Sequence, residues 1–255
     1  MVNEHDPQNS GCGLCREGKP LDFDFTMAFQ PIVDCQTQSI FGYESLVRGL
    51  KGESAYSILS QLHKGNLYSF DQACRVKAIS LAARLGLKST LSINFMPNAI
   101  YDPARCIRTT LAAADDNQFP IQNIMFEFTE AEQVIDSEHL KSIINFYQAQ
   151  GFRTAIDDFG AGFAGLNLLA DFQTSVVKFD MGLIRNIESD RVRQTIITHS
   201  ARMLAELNIT PLAEGVETRE EMRWLQGQGI RLMQGYWFAK PGFECLPEVD
   251  WRRCG

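Results

Sequence analysis

The chain has 255 residues, a formal net charge of −7 and 45% hydrophobic residues, which is the composition of an ordinary globular protein with a well-buried core. This acidic balance argues against a DNA or RNA duplex as partner, since duplex binding needs a basic surface. No stretch approaches the roughly 18 apolar residues of a membrane span, and the polar first ten residues lack the pattern of a signal peptide, so we expect a cytoplasmic protein.

Residues 1–20 are rich in glycine, polar groups and charge, which predicts a flexible N-terminal segment before one domain over residues 21–250. The seven cysteines are scattered, and an odd number without framework spacing favours reduced thiols over disulfides. Cys12 and Cys15 have the CxxC spacing of half a zinc site or a redox pair. Since no second such pair accompanies them, plain free thiols are the simpler interpretation.

Short apolar runs alternate with amphipathic stretches over the rest of the chain. The runs predict strands at 27–33, 40–47, 91–95, 124–129, 154–159, 175–179, 211–215 and 232–238. The amphipathic stretches predict helices at 55–63, 70–85, 103–114, 137–150, 166–170, 191–207 and 219–227. Asp102, before Pro103, is placed to cap the third of these helices. Such repeated alternation predicts parallel strands joined by crossover helices.

Two architectures fit this pattern, an open doubly wound sheet and a closed α/β barrel. The glycine-rich dinucleotide fingerprint after the first strand is absent, which weakens the open sheet. Polar residues also occur in, or at the carboxyl end of, seven different predicted strands: Glu44, Asn94, Glu127, Asp157, Lys178, Glu214 and Gln234. In a barrel those strand ends meet at one mouth, where catalytic groups belong. The distribution therefore favours the barrel.

The adjacent carboxylates of Asp157 and Asp158 precede the flexible run Phe159-Gly160 and would repel each other unless protons or cations compensate them. Taken alone, such a pair is often just a turn or a helix cap. Together with the glutamates at the other strand ends and the amide of Asn94, the pair forms an oxygen-rich set that suits Mg²⁺ or Mn²⁺. No cluster of His and Cys in the sequence suggests zinc.

Two divalent ions bridged by a carboxylate are a standard arrangement for hydrolysing phosphate esters. Lys178, on a strand between the aspartate pair and Glu214, could orient the attacking water or offset charge in the transition state. The residues therefore indicate a metal-dependent phosphohydrolase, and they do not identify its substrate.

Short segments in a specific order resemble the EAL-domain family from about residue 25 to 241. They are FQPIVD at 29–34, GYESLVRG at 42–49, INF at 93–95, FEFTE at 126–130, DDFGAGF at 157–163, KFD at 178–180, AEGVE at 213–217 and QGYWFAKP at 234–241. The resemblance implies a TIM-like (β/α)8 barrel with one reversed, antiparallel strand. It also implies hydrolysis of cyclic-di-GMP to linear pGpG with two divalent ions, Mg²⁺ or Mn²⁺.

The resemblance further implies a role for each matching residue. The metal ligands would be Glu44, Asn94, Glu127, Asp157 and Asp158. The catalytic group would comprise Glu44 again, Lys178 on the nucleophilic water, Glu214 near the second metal and Gln234 in support. The dinucleotide would contact Gln30, Leu46, Arg48 and Asp180, while Glu130 and Glu217 would be supporting acidic residues. The family often dimerises, so we expect a homodimer.

Two departures from the family pattern stand out. Ser45 replaces the usual alanine and removes no ligand, so we expect little harm. Ala164-Gly165 follows the DDFG loop where two small hydroxyl residues are common, which would loosen that loop and weaken its coupling to metal binding. A non-catalytic EAL-type receptor for cyclic-di-GMP or for a protein partner is the alternative, and hydrolysis of another phosphodiester, or of pGpG, is a third. The joint presence of the acidic residues favours catalysis.

Overall fold

The computed structural model describes residues 21–129, 137–162 and 165–254, and in this part of the chain nine strands form one sheet. The strands are β1 (Thr26–Asp34), β2 (Ser39–Arg48), β3 (Thr90–Asn94), β4 (Ile124–Thr129), β5 (Arg153–Phe159), β6 (Val176–Phe179), β7 (Thr210–Ala213), β8 (Leu232–Met233) and β9 (Gly242–Phe243). The segment with Cys12 and Cys15 lies outside the described residues.

Helices surround the sheet and follow most of its strands. They are α1 (Ala55–Leu59), α2 (Leu67–Arg84), α3 (Pro103–Cys106), α4 (Arg108–Asp116), α5 (Ser137–Ala149), α6 (Gly165–Asp171), α7 (Met181–Ile184), α8 (Arg191–Glu206) and α9 (Arg219–Gly227). Short 3₁₀ helices cover Pro97–Ala99, Ile121–Asn123 and Trp251–Cys254. No helix within the described ranges is long and apolar enough to cross a membrane.

The sheet closes into a barrel through β1. Strands β2 to β8 pair in chain order and all run parallel, whereas β1 is antiparallel to both β2 and β8. The short strand β9 adds to β1 at the register Ala28–Phe243. The predicted TIM-like barrel with one reversed strand is therefore confirmed.

Alternation along the strands divides the barrel interior into two layers. The floor is a separate apolar cluster of residues that are at most 3% exposed, namely Ile32, Met125, Ala155, Val176, Leu212 and Leu232. Because side chains alternate between faces, the next inward residue lies two positions further towards the mouth. These residues are all polar: Gln30, Glu127, Asp157, Lys178, Glu214 and Gln234. The outward residues, such as Phe126 and Phe179, pack in the main core beneath the helices.

Some predicted boundaries are wrong, for local reasons. The predicted helix at 103–114 is two helices, because Ile107 has φ −75° and ψ −18°, close to a 3₁₀ turn, and separates α3 from α4. The predicted last strand stops at Met233, since the chain beyond it bonds to the loop after β7 through Val216. The cap predicted at Asp102 is confirmed, since its Oδ1 accepts from the N–H groups of Ala104 and Arg105.

Candidate metal centre and active site

The ammonium of Lys178 lies at the centre of the polar layer, among four carboxylates. Its Nζ is 2.7 Å from Glu214 Oε1, 2.8 Å from Glu127 Oε2, 2.9 Å from Asp157 Oδ1 and 3.7 Å from Glu44 Oε2. The Lys178 side chain is fully buried because it lies two positions after Val176 of the floor and so faces the interior of the barrel. One positive charge does not balance four carboxylates, so the pocket attracts further cations or protons.

Electrostatics at this centre favours protons when no metal is bound. Burial raises the pKa of Glu127 to about 8; Lys178 opposes this rise, and the neighbouring carboxylates of Glu44 and Asp157 add to it. Burial likewise raises the pKa of Glu214 well above its usual value, against the opposing effect of Lys178. Burial would lower the pKa of Lys178 itself, but the surrounding carboxylates raise it well above its ordinary value. The lysine is therefore a permanent cation here.

The carboxylates form two overlapping groups that could each hold a cation. Glu44, Glu127 and Asp157 each offer an oxygen within 4.8 Å of the others, and so do Asp157, Asp158 and Glu214. Asp157 belongs to both groups and occupies the place of a bridging ligand. Hard oxygen donors of this kind suit Mg²⁺ or Mn²⁺. The residues present thus fit a pair of divalent ions.

A β-bulge explains how two consecutive aspartates both reach this centre. The β5–β6 register passes from Ile156–Val177 to Phe159–Phe179, so Asp157 and Asp158 together lie opposite the single residue Lys178. Asp158 takes a left-handed conformation, with φ of 52°, and its N–H donates to Asp157 Oδ1 at 3.0 Å. Burial, followed by the charge of Asp157, raises the pKa of Asp158 to about 6.

Amide side chains hold Glu44 in place. Gln234 Nε2 donates to Glu44 Oε2 at 2.6 Å and to Gln30 Oε1 at 3.2 Å, and Gln30 Nε2 donates to the carbonyl of Ala239. Asn94 Nδ2 donates to Glu44 Oε1 at 3.0 Å, which places the Asn94 amide beside the first carboxylate group. Such outer partners orient a metal ligand by restricting its rotamer.

Ser92 is a member of the polar layer that sequence reasoning missed. Its hydroxyl donates to Glu127 Oε1, and the residue is completely buried. The signal was present in the sequence, because Ser92 lies two positions before Asn94 on the same strand and so faces the same side. A hydroxyl in an apolar strand was too weak a feature to single out.

The predicted substrate residues divide between separate cavities. Gln30 and Asp180 line a cavity of about 270 Å³ together with Glu214, and Leu46 lines another of about 380 Å³ with Asn94. Both cavities reach the acidic centre. Asp180 Oδ1 also accepts from the N–H of Gly182 at 2.8 Å, which caps α7.

The structure keeps the other predicted residues away from the acidic centre. Arg48 lies on the rim beside Lys51 and Pro241, and its Nη1 donates to the carbonyl of Val47 at 2.7 Å. Glu217 forms a two-point ion pair with Arg185, at 2.6 and 2.7 Å. Glu130 lies outside the described residues.

Gly235 follows Gln234 and lies against the backbone of Val216. We expect Gly235→Ala to displace the segment that carries Gln234. A Cβ at this position would come within 2.1–2.7 Å of the backbone of Val216, which has no room to move. Overpacking of this kind costs about 1–3 kcal/mol or more, so the free energy of unfolding should fall by at least that amount in urea titrations. Gly227→Ala is the control, because nothing lies within 4 Å of its Cβ position. Equal stability of the two variants would contradict the prediction.

The chain is thus a TIM-like barrel with one reversed strand and a carboxylate-rich centre at its mouth. The family model of the EAL domain matches residues 21–241. The chain belongs to the EAL domain family.

Relatives and solved structures support the assignment. A crystal structure of a standalone versatile EAL protein from Vibrio cholerae O395, in a c-di-GMP bound form, is 65% identical with a TM-score of 0.90, covering 92% of this chain and 100% of that one. The blue light- and temperature-regulated antirepressor BluF of Escherichia coli K12 is 33% identical, covering 88% of this chain and 56% of BluF. The probable cyclic di-GMP phosphodiesterase PdeN of the same organism is 28% identical, covering 90% of this chain and 45% of PdeN. The chain thus spans about half the length of these two relatives.

Proposed function

We propose that this chain hydrolyses cyclic-di-GMP to linear pGpG at the barrel mouth, with two divalent ions, Mg²⁺ or Mn²⁺. The observation that carries the proposal is that Asp157 belongs to two carboxylate groups at once. A receptor needs no such overlapping pair of cation sites, whereas two-ion phosphodiester hydrolysis does. The name of PdeN and the ligand of the Vibrio structure support this substrate.

In this proposal the residues of the centre are divided between two ions, with Asp157 common to both. Glu44, Asn94, Glu127 and Asp157 would hold the first ion, and the second would be held by Asp157, Asp158 and Glu214. When bound, the two ions lower the pKa of a coordinated water and stabilise the entering and leaving oxygens.

The protein's own groups orient the reaction around the ions. Lys178, with three carboxylate oxygens within 2.9 Å of Nζ, positions the attacking water and offsets charge on the phosphoryl oxygens. Gln234 keeps Glu44 in its ligating rotamer by donating to Oε2. The floor of the barrel below, formed by apolar residues such as Leu212 and Leu232, excludes water from the rear of the centre.

The substrate contacts follow from the cavities that meet at this centre. Gln30 and Asp180 face one nucleotide half and Leu46 the other, while the guanidinium of Arg48 offers a forked donor to phosphate oxygens at the rim. Glu217 supports the loop after β7 through Arg185.

Arg48→Ala should weaken cyclic-di-GMP binding without changing metal binding. A hydrogen bond to a charged group contributes about 1.5–3 kcal/mol, which corresponds to a roughly 10- to 100-fold rise in Kd. Calorimetric titration with cyclic-di-GMP and Ca²⁺, and separately with Mn²⁺ alone, measures both affinities. Arg108→Ala, an exposed arginine on α4, serves as the control. An unchanged Kd in Arg48→Ala would remove this residue from the substrate site.

The direct test is hydrolysis of cyclic-di-GMP with Mg²⁺ or Mn²⁺, run beside Glu44→Gln and a chelated sample. We expect linear product only from the intact protein with metal. Tight binding without any product would establish the alternative, a non-catalytic receptor. If the protein neither hydrolysed nor bound cyclic-di-GMP, the proposed substrate would be refuted.

We also propose that the protein forms a homodimer. Large apolar side chains are exposed on the helices that follow β5, β6 and α7, namely Leu166, Met181 and Val192, at 65%, 49% and 70% exposure. Exposed apolar groups of this size mark interaction surfaces when they are contiguous. A monomeric mass by light scattering at full activity would refute the dimer.

A further inference from the structure

Helix α2 carries a buried ion pair that belongs to neither carboxylate group. Arg75 Nη2 lies 2.9 Å from Asp71 Oδ2, and the two side chains are 0% and 1% exposed. Removing two charges from water is costly, and a buried pair is often no more stabilising than well-packed apolar residues of similar size. A contribution to the free energy of unfolding therefore does not explain the ion pair well. Its contacts indicate a more specific role.

The second oxygen of Asp71 holds the main chain just beyond β3. Asp71 Oδ1 accepts from the N–H of Met96 at 3.0 Å. The preceding N–H, of Phe95, donates to the carbonyl of Glu127 at 2.9 Å. These two bonds anchor the backbone immediately after Asn94, the last residue of β3.

Arg75 fixes the other side of this connection. Its Nη1 donates to the hydroxyl of Tyr147 on α5 at 2.9 Å. Its guanidinium carbon lies 4.8 Å from the ring centre of Phe126 and 5.6 Å from that of Phe95. The ion pair thus joins α2 to the end of β3, to β4 and to α5. Within the parts of the chain that the structure describes, it connects the elements that carry Asn94 and Glu127.

A cavity of about 380 Å³ connects Asp71 with the metal centre. Asp71, Asn94, Glu44 and Asp157 all line it. Asn94 itself is exposed to this space, and the side-chain hydrogen bond to Glu44 orients its amide. Because Asn94 ends its strand, the direction of its side chain depends on the backbone that follows it, which Asp71 holds.

We propose that Asp71 and Arg75 are positioning residues for the amide of Asn94, acting through the N–H of Met96. Asp71 accepts from this N–H, and Arg75 keeps the Asp71 carboxylate in the orientation that does so. The proposal rests on the proposed function, since it takes Asn94 as a metal ligand. Partners that orient a ligand from outside typically change metal affinity or activity 10- to 100-fold when they are mutated.

Two double variants separate positioning from a merely structural role. Asp71→Leu with Arg75→Met removes both charges and the acceptor for Met96. Asp71→Asn with Arg75→Met also removes both charges but retains a carbonyl oxygen for that N–H. We expect the first to bind Mn²⁺ about 10- to 100-fold more weakly in calorimetry, with an unchanged or higher Tm. The second should recover most of the lost affinity at a similar Tm.

Equal Mn²⁺ affinity in both double variants, whether unchanged or equally reduced, would overturn the proposal. Lys77→Met is the control, since it breaks the ion pair of the same helix with Asp24 and does not contact β3. If the first variant does not fold, amide exchange in the wild-type protein decides. Saturating Mn²⁺ should slow exchange at Met96, because coupling between two sites is reciprocal, and an unchanged exchange rate would refute the link.

The failure of the proposed function is distinguishable from the failure of this inference. A wild-type protein that binds Mn²⁺ without hydrolysing cyclic-di-GMP would refute catalysis and leave the affinity comparison valid. A wild-type protein that binds no Mn²⁺ would overturn both, because Asn94 would then have no metal to ligate.

Discussion

Lys178→Met should destabilise the metal-free protein by about 3–5 kcal/mol, which is the cost of removing one partner from a buried set of charges. Glu127, Asp157 and Glu214 would lose a cation that lies within 2.9 Å of each. For a domain of this size the loss corresponds to a fall in Tm of roughly 10 °C. Hydrolysis should fall about 10²- to 10³-fold, because Lys178 offsets charge in the transition state of the proposed reaction.

Metal ions should reverse the stability loss but not the activity loss. Divalent ions that bind the folded protein would stabilise it in proportion to the logarithm of their concentration. Their affinity should be equal or higher in Lys178→Met, since the repulsion from the ammonium is gone. Thermal unfolding with and without Mn²⁺ measures this, with the exposed Lys88→Met as control. A variant with wild-type activity would rule out a catalytic role for Lys178.

Asp157→Asn should have the larger effect on catalysis and a small effect on stability. The substitution keeps the shape of the side chain and an oxygen for the N–H of Asp158, but removes the one carboxylate shared by both groups. Two-ion stabilisation of the transition state amounts to several kcal/mol, so turnover should fall on the order of 10³-fold. The free energy of unfolding should change little or rise, because repulsion among the carboxylates decreases.

A graded comparison makes this result specific. Asp158→Asn removes a member of one group only and should weaken one of two calorimetric Mn²⁺ binding events, whereas Asp157→Asn should weaken both. Asp116→Asn, exposed on α4, should change neither. If Asp157→Asn retained two wild-type binding events, the bridging role of Asp157 would be wrong.

Local regularities of the chain were sufficient to predict the strands and most of the helices. Each of β1 to β8 corresponds to one predicted strand, because each lies in one of the short apolar runs. Side chains within a strand alternate between the two faces. A floor residue such as Met125 or Val176 is therefore followed two positions later by a polar residue of the centre, Glu127 or Lys178. The convergence of the strand ends followed once the barrel was inferred.

Tertiary structure alone decided how these residues meet. The partners of β1 include Met233, which lies far away in sequence from Val33, and no local period encodes this pairing. The bulge that turns Asp157 and Asp158 to the same side appears only in the register with β6. The buried pair of Asp71 and Arg75 likewise depends on how α2 packs against Met96 and against Tyr147 of α5.

The amino-acid sequence by itself thus determined which side chains face inward and which strand ends carry oxygen donors, because both depend on spacing along one element. Closure of the barrel decided that Lys178 lies among four carboxylates. That placement depends on distances between strands, which are determined by pairing across the whole chain, and the burial it produces raises the pKa of Glu127 and Glu214.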